Sequence, residues 1–274
     1  MGTGPAPGSA APGTPDNNTR VKCHPFPSWP IVQVTQRTGF TGSALVRLLA
    51  RLTDVEVAES RQSFSDQLSQ WLRWTDAIAL SAALEGGRTA APARKRTDTN
   101  ADDTGYGRVR AALAKAIAED IAFLADRRDL PADGKPDFSP YRVRYAGRQQ
   151  AMEVAIGPLR TQLRAMLAAR SSDMARLAAV DAVMEQALGA QERSLLATVP
   201  GLLEKHFRRL HQAAQARADA PASDVPDALA TPERRTSPTA WLDKFCEDMR
   251  AVMLAELDMR LQPVDGLREA LRMT

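Results

Sequence analysis

Apolar side chains return along this chain at spacings of three and four, and nowhere do they alternate with polar ones over five or more positions. That period belongs to helices, and the pattern predicts an all-α protein, an irregular multi-helix bundle with almost no sheet. After Gly42, "SALVRLLARL" sets Leu45, Leu48, Leu49 and Leu52 on one face, with Ser43 placed to cap the free amides and an end near Thr53. A second helix is predicted from about Ser63 to Leu84, its inner face carried by Phe64, Leu68, Trp71, Leu72, Ile78 and Ala82.

The same period resumes from Gly107 to Leu124 through Val109, Leu113, Ile117 and Ile121, until "PADGKPDFSP" interrupts it. A long tract from Ser139 or Pro140 predicts a helix kinked or broken at Gly157 and Pro158, because proline lacks the amide and crowds the preceding turn. Met174, Leu177, Val180, Met184 and Leu188 mark the next helix. Leu195, Val199, Leu202, Leu203, Phe207 and Leu210 mark another, bent or interrupted by Pro200. A terminal helix turns Leu242, Phe245, Met249, Val252 and Leu257 inward and is predicted to stop at Pro263.

Between these tracts, three segments lack the period. Residues 1–30 are rich in Gly, Pro, Ala, Ser and Thr and read as a disordered leader, with "HPFPSWP" an extended arm that can pack over the body. Residues 85–104 and 218–237 read as flexible linkers inside a single helical domain covering 31–274. Hydrophobic residues make up 44% of the 274 but aromatics only 5%, and the weight on Ala and Leu reinforces the helical reading.

Charge adds little: 36 basic against 33 acidic residues leave a net +3, too small to argue for nucleic acid without a local patch. The start of the chain lacks a charged, continuously apolar signal segment, and no stretch approaches the roughly 18 unbroken apolar residues of a membrane span. With Cys23 and Cys246 the only cysteines, a disulfide scaffold is not expected, and the reading is a cytoplasmic protein without membrane insertion.

Candidate chemistry is sparse. No phosphate-binding Gly-rich loop, dinucleotide fingerprint or nucleophile elbow occurs, so no catalytic residue and no cofactor is assigned. His206 and His211 stand about 140° apart around a helix and do not share a metal face; Cys23 and His24 have no second pair nearby, and no metal is assigned. Asp102 and Asp103, Glu119 and Asp120, and Glu247 and Asp248 are sequence neighbours that do not face each other on a helix, and they read as solvated charge.

Two basic tracts are candidates for phosphate contact. Arg142, Arg144 and Arg148, near Tyr141 and Tyr145, are followed by Arg160 and Arg164 at the same one-turn spacing; Lys205, Arg208 and Arg209 form the second. Arginines on a long helix more commonly pair with carboxylates of neighbouring helices, here Asp181, Glu185 or Glu192. In "QWLRWTDAIALSAAL" the spacing assigns Trp71 and Ile78 mainly to core and leaves Trp74 for a partner, with Asp76 paired to Arg73 or to the basic tract.

Three tracts in order, "VTQRTGFTGSALVRLLARLTDVEVAESRQSFSDQLSQWLRWTDAIALSAAL", "SPYRVRYAGRQQAMEVAIGPLR" and "AELDMRLQPVDGLREAL", resemble an uncharacterised proteobacterial family that carries a domain-of-unknown-function label. The resemblance covers about Gln33 to Arg272 and brings no catalytic residues. It implies genes encoded beside a flagellar-stator-like channel protein and an OmpA-like peptidoglycan-binding protein, similar to the type III Zorya phage-defence system. What it implies for function is a non-enzymatic accessory protein that meets these proteins and a second soluble component through the Trp71 and Trp74 region or the C-terminal helix. The alternative is a DNA-binding effector.

Overall fold

A computed structural model of the chain describes residues 1, 2, 4, 43–54, 64–85, 99–126, 136–219 and 239–273. Within the compact unit Phe40–Thr274, the described residues form helices and no strand. Of the unit Met1–Gly39 only three residues are described, so the predicted leader, like most of both predicted linkers, lies outside the described residues.

The helices are α1 (Ala44–Thr53), α2 (Phe64–Trp71), α3 (Trp74–Glu85), α4 (Thr99–Asp126), α5 (Ser139–Ala168), α6 (Ser172–Leu196), α7 (Val199–Ala218) and α8 (Ala240–Arg272). α1 follows its signals closely: the Ser43 hydroxyl accepts from the Val46 amide at 3.4 Å, Leu45 and Leu52 are buried, and Asp54 ends the helix in the left-handed region. α4 begins at Thr99, inside the predicted linker, and α3 reaches the linker's first residue, Glu85.

α8 is the axis of the unit. Its 33 residues run about 50 Å and pack against α1, α4, α5, α6 and α7. Phe245, Met249, Val252, Met253, Leu257, Leu261 and Val264 are buried along it, so the inner face of the C-terminal helix is core. α5 lies beside it and also meets α4, α6 and α7.

Pro263, predicted to stop its helix, and Pro158, predicted to kink or break its own, both sit inside a helix. α5 runs through Pro158 and α8 through Pro263. An interior proline costs about 3 kcal/mol, and burial on either side opposes that cost: Ile156, Leu159, Leu163 and Leu167 around the first, Leu261, Val264, Leu267 and Leu271 around the second. Pro200 stands in the first turn of α7, where a missing amide costs nothing.

The predicted helix from Ser63 to Leu84 is two helices. α2 closes with the Leu72 amide on the Leu68 carbonyl, and α3 opens afresh at Arg73, whose carbonyl accepts from the amides of Asp76 and Ala77. The Asp76 carboxylate reaches back to accept from the Arg73 amide at 3.0 Å, which is one half of a capping box.

Candidate functional site

The sequence-predicted arginines divide among four helix interfaces, and their partners come from the same chain. On α5, Arg144 and Arg148 both reach the α4 carboxylate of Asp120, at 3.1 and 2.6 Å. Arg142 pairs with Glu204 of α7, Arg208 pairs with the same carboxylate, and Arg209 pairs with Asp54 at the end of α1. Farther along α5, Arg160 and Arg164 bracket Asp181 and Glu185 of α6. Burial depresses the Arg160 guanidinium, and the hydrogen bond and charge of Asp181 more than reverse it, so its pKa is raised. Lys205 is exposed on α7. Each of these arginines already holds a carboxylate, and Asp120 and Asp181 are themselves largely shielded from water.

Two carboxylates read as solvated charge are buried. Asp120 is 6% exposed and clamps two arginines; Asp248 is 6% exposed and lies 2.9 Å from the Nε2 of buried His206. Arg209 approaches the other ring nitrogen, Nδ1, at 3.3 Å. A guanidinium only donates, so Nδ1 is the acceptor and the ring proton sits on Nε2, donating to Asp248. Lys244 closes the group through Asp248 at 3.0 Å, and its hydrogen bonds to Asp248 and Glu247 raise its pKa.

The deepest polar centre was not singled out from the sequence. Glu256 of α8 is fully buried and accepts from the Tyr145 hydroxyl at 2.6 Å, from Gln149 Nε2 at 3.1 Å and from Arg260 Nε at 2.9 Å. Burial, then the Glu256 charge and hydrogen bond, raise the Tyr145 phenol well above its usual 10.0. The folded protein therefore holds this proton more tightly than the unfolded chain. The corresponding stabilisation is complete below pH 10.0 and is lost as pH rises beyond it. Urea midpoints of Tyr145→Phe should be lower than wild type at neutral pH, with a shallower decline on the alkaline side; an unchanged alkaline slope contradicts this.

A groove of about 320 Å³ opens between α5, α6 and α8 over Ile156, Met184, Leu188 and Pro263. Three ion pairs rim it: Glu153 with Arg193 at 3.4 Å, Glu185 with Arg160 at 3.5 Å and Glu192 with Arg260 at 4.0 Å. These charges are matched within the wall, so the groove presents no unbalanced charge to a ligand. Among the described residues, no group of three or more His, Cys, Asp and Glu is placed to hold a metal ion.

The surface that differs in kind is α2–α3. α3 has no buried residue and packs on α6, where α2 also rests. Asp76, Leu80 and Ala83 turn toward partial burial, while Trp74 is 80% exposed and Ile78 54% exposed. Trp71, expected in the core with Ile78, is 42% exposed, because the break at Leu72 and Arg73 takes both residues out of one continuous inner face. Asp76 serves α3 itself through Arg73 rather than reaching the basic tract. The chain at this point is apolar almost all round yet covered on one side, a condition usually met only in buried helices.

Among the described residues, no helix is long and apolar enough to cross a membrane. Neither a curated protein nor a solved structure matches the chain. A match over residues 31–273 is to the family described as protein of unknown function (DUF3348), and the chain belongs to that family.

Proposed function

We propose that the chain is a non-enzymatic accessory protein of a Zorya-like anti-phage system, acting in the cytoplasm alongside a stator-like membrane motor through protein contacts made by α2 and α3. The observation that carries the contact part of this reading is the apolar α3 surface with Trp74 at 80% exposure and Trp71 and Ile78 beside it. Aromatic anchors of this kind dominate the energetics of protein interfaces. The defence setting rests on the family resemblance and the gene neighbourhood it implies.

Co-purification tests the reading. Tagged protein expressed with its neighbouring gene products should retain the stator-like protein, the OmpA-like protein or the second soluble component, and Trp74→Ser should lose it without a shift in Tm. Retention of none with every component expressed contradicts the proposal. The DNA-binding alternative predicts a gel shift that weakens steeply with salt. The carboxylate partners of Arg142, Arg144, Arg148, Arg208 and Arg209 favour the contact reading over it.

A further inference from the structure

We propose that α2 and α3 form a detachable arm: the pair leaves α6 as a unit while the rest of the helical body stays folded, and its departure uncovers an apolar strip on α6. The inference stands on packing within the chain and holds with or without a partner at Trp74. α3 has 12 residues and α2 has 8, at or below the ~12–15 at which an isolated helix is marginal in water. What keeps them helical is the surface they rest on, and that surface is α6.

The hold on that surface is shallow. No residue of α3 is buried, and Leu72, Leu80 and Ala83 reach only half-burial. On α6, Val180, Val183 and Ala187 follow Arg176 at helical spacing, on the side turned away from Asp181 and Glu185, and each is half-buried. Among the described residues, one side chain hydrogen-bonds α6 to α3. Arg176 donates from Nε at 3.0 Å and from Nη2 at 2.7 Å to the Leu84 carbonyl, in the last turn of α3, where carbonyls lack helical partners. The Arg176 side chain is 45% exposed, so water competes for the same carbonyl.

The opposite side of α6 is fastened more firmly. Asp181 holds Arg160 at 2.6 Å, Glu185 holds Arg164 at 2.6 Å, and Ala178 is buried on that side. Opening of the arm therefore leaves α6 on α5. Elements with few buried contacts open at a fraction of the global unfolding free energy, which the fully buried residues of α8 report. Once the arm is open, Leu72, Leu80 and Ala83 come free on it and Val180, Val183 and Ala187 on α6, so the chain offers more apolar surface than its docked form shows.

Amide hydrogen exchange of the full chain, read by mass spectrometry, tests the arm. After correction for intrinsic rates, peptides from α2 and α3 should exchange on the order of a hundredfold faster than those from residues 249–261 of α8. Arg176→Ala should speed exchange in both arm helices about tenfold and leave the α8 peptides unchanged. Ala83→Asp, which sets a charge on the half-buried side of α3, should do the same without moving the urea midpoint of the main transition. Arm peptides as slow as those of α8, or arm and α8 accelerating together, overturn the proposal. So does fast exchange in α3 that neither substitution alters, which is fraying unconnected to docking, or acceleration of α3 that α2 does not share.

Discussion

Glu256→Ala should be among the most destabilising single substitutions in this chain, by about 3–5 kcal/mol. Glu256 is fully buried, and its loss strands the Arg260 guanidinium, whose side chain is 9% exposed and whose remaining carboxylate, Glu192, lies at 4.0 Å. Tyr145 loses its 2.6 Å acceptor in the same step. A small domain has only about 5–15 kcal/mol in total, so the urea midpoint should collapse or the protein fail to accumulate. Replacing both charges, Glu256→Leu with Arg260→Met, leaves no buried ion and should cost less than the single change. A Glu256→Ala midpoint within about 1 kcal/mol of wild type contradicts the account of this centre.

Phe245→Ala should cost a similar amount, about 3–5 kcal/mol. The ring is fully buried where α5, α7 and α8 meet, with ring centres of Phe207 at 5.0 Å, Tyr141 at 5.2 Å and Phe138 at 6.0 Å. Edge-to-face contacts of this kind add to the area they bury. Removing the ring opens a cavity between three helices that already use their best packing positions, so little collapse can repair it. Phe123, 40% exposed, is the control, and its alanine variant should lose about 1 kcal/mol or less. Equal losses at the two positions, read from urea midpoints, contradict the packing described here.

The helical period located α1 nearly residue for residue, because a Ser cap and a leucine stripe agree there and no tertiary contact competes with them. It also put Leu242, Phe245, Met249, Val252 and Leu257 inward on α8. It misjudged Pro263, and the break allowed at Pro158 does not occur, because a local breaking signal cannot weigh the burial that long-range packing supplies on either side. The break between α2 and α3 was hidden for the opposite reason. Arg73 offers no capping side chain, so the single clue was Asp76, three residues further on, in the role of a cap acceptor.

Asp120, Asp248 and Glu256 were legible in principle. Asp120 falls in the register of Leu113, Ile117 and Leu124, and Glu256 in that of Met249, Val252 and Met253; each is a carboxylate on an inward face, a position that demands partners. Reading Asp120 and Asp248 as members of acidic neighbour pairs concealed this. The arginines that meet Asp120 on α5 and the His206 of α7 that meets Asp248 sit far off in sequence, and no local rule joins them to these carboxylates. The exposed side of α3 is the reverse case: a stretch that looks like core becomes surface because α6 covers one side of it.

Site-specific photocrosslinking from position 74, in cells producing the neighbouring gene products, tests the contact surface most directly. A probe at 74 should join the chain to one of those proteins, whereas the same probe at Val143, 70% exposed on α5, should not. Crosslinks equal at the two positions, or none from position 74, would contradict the assignment of α2–α3 as the surface through which this protein works.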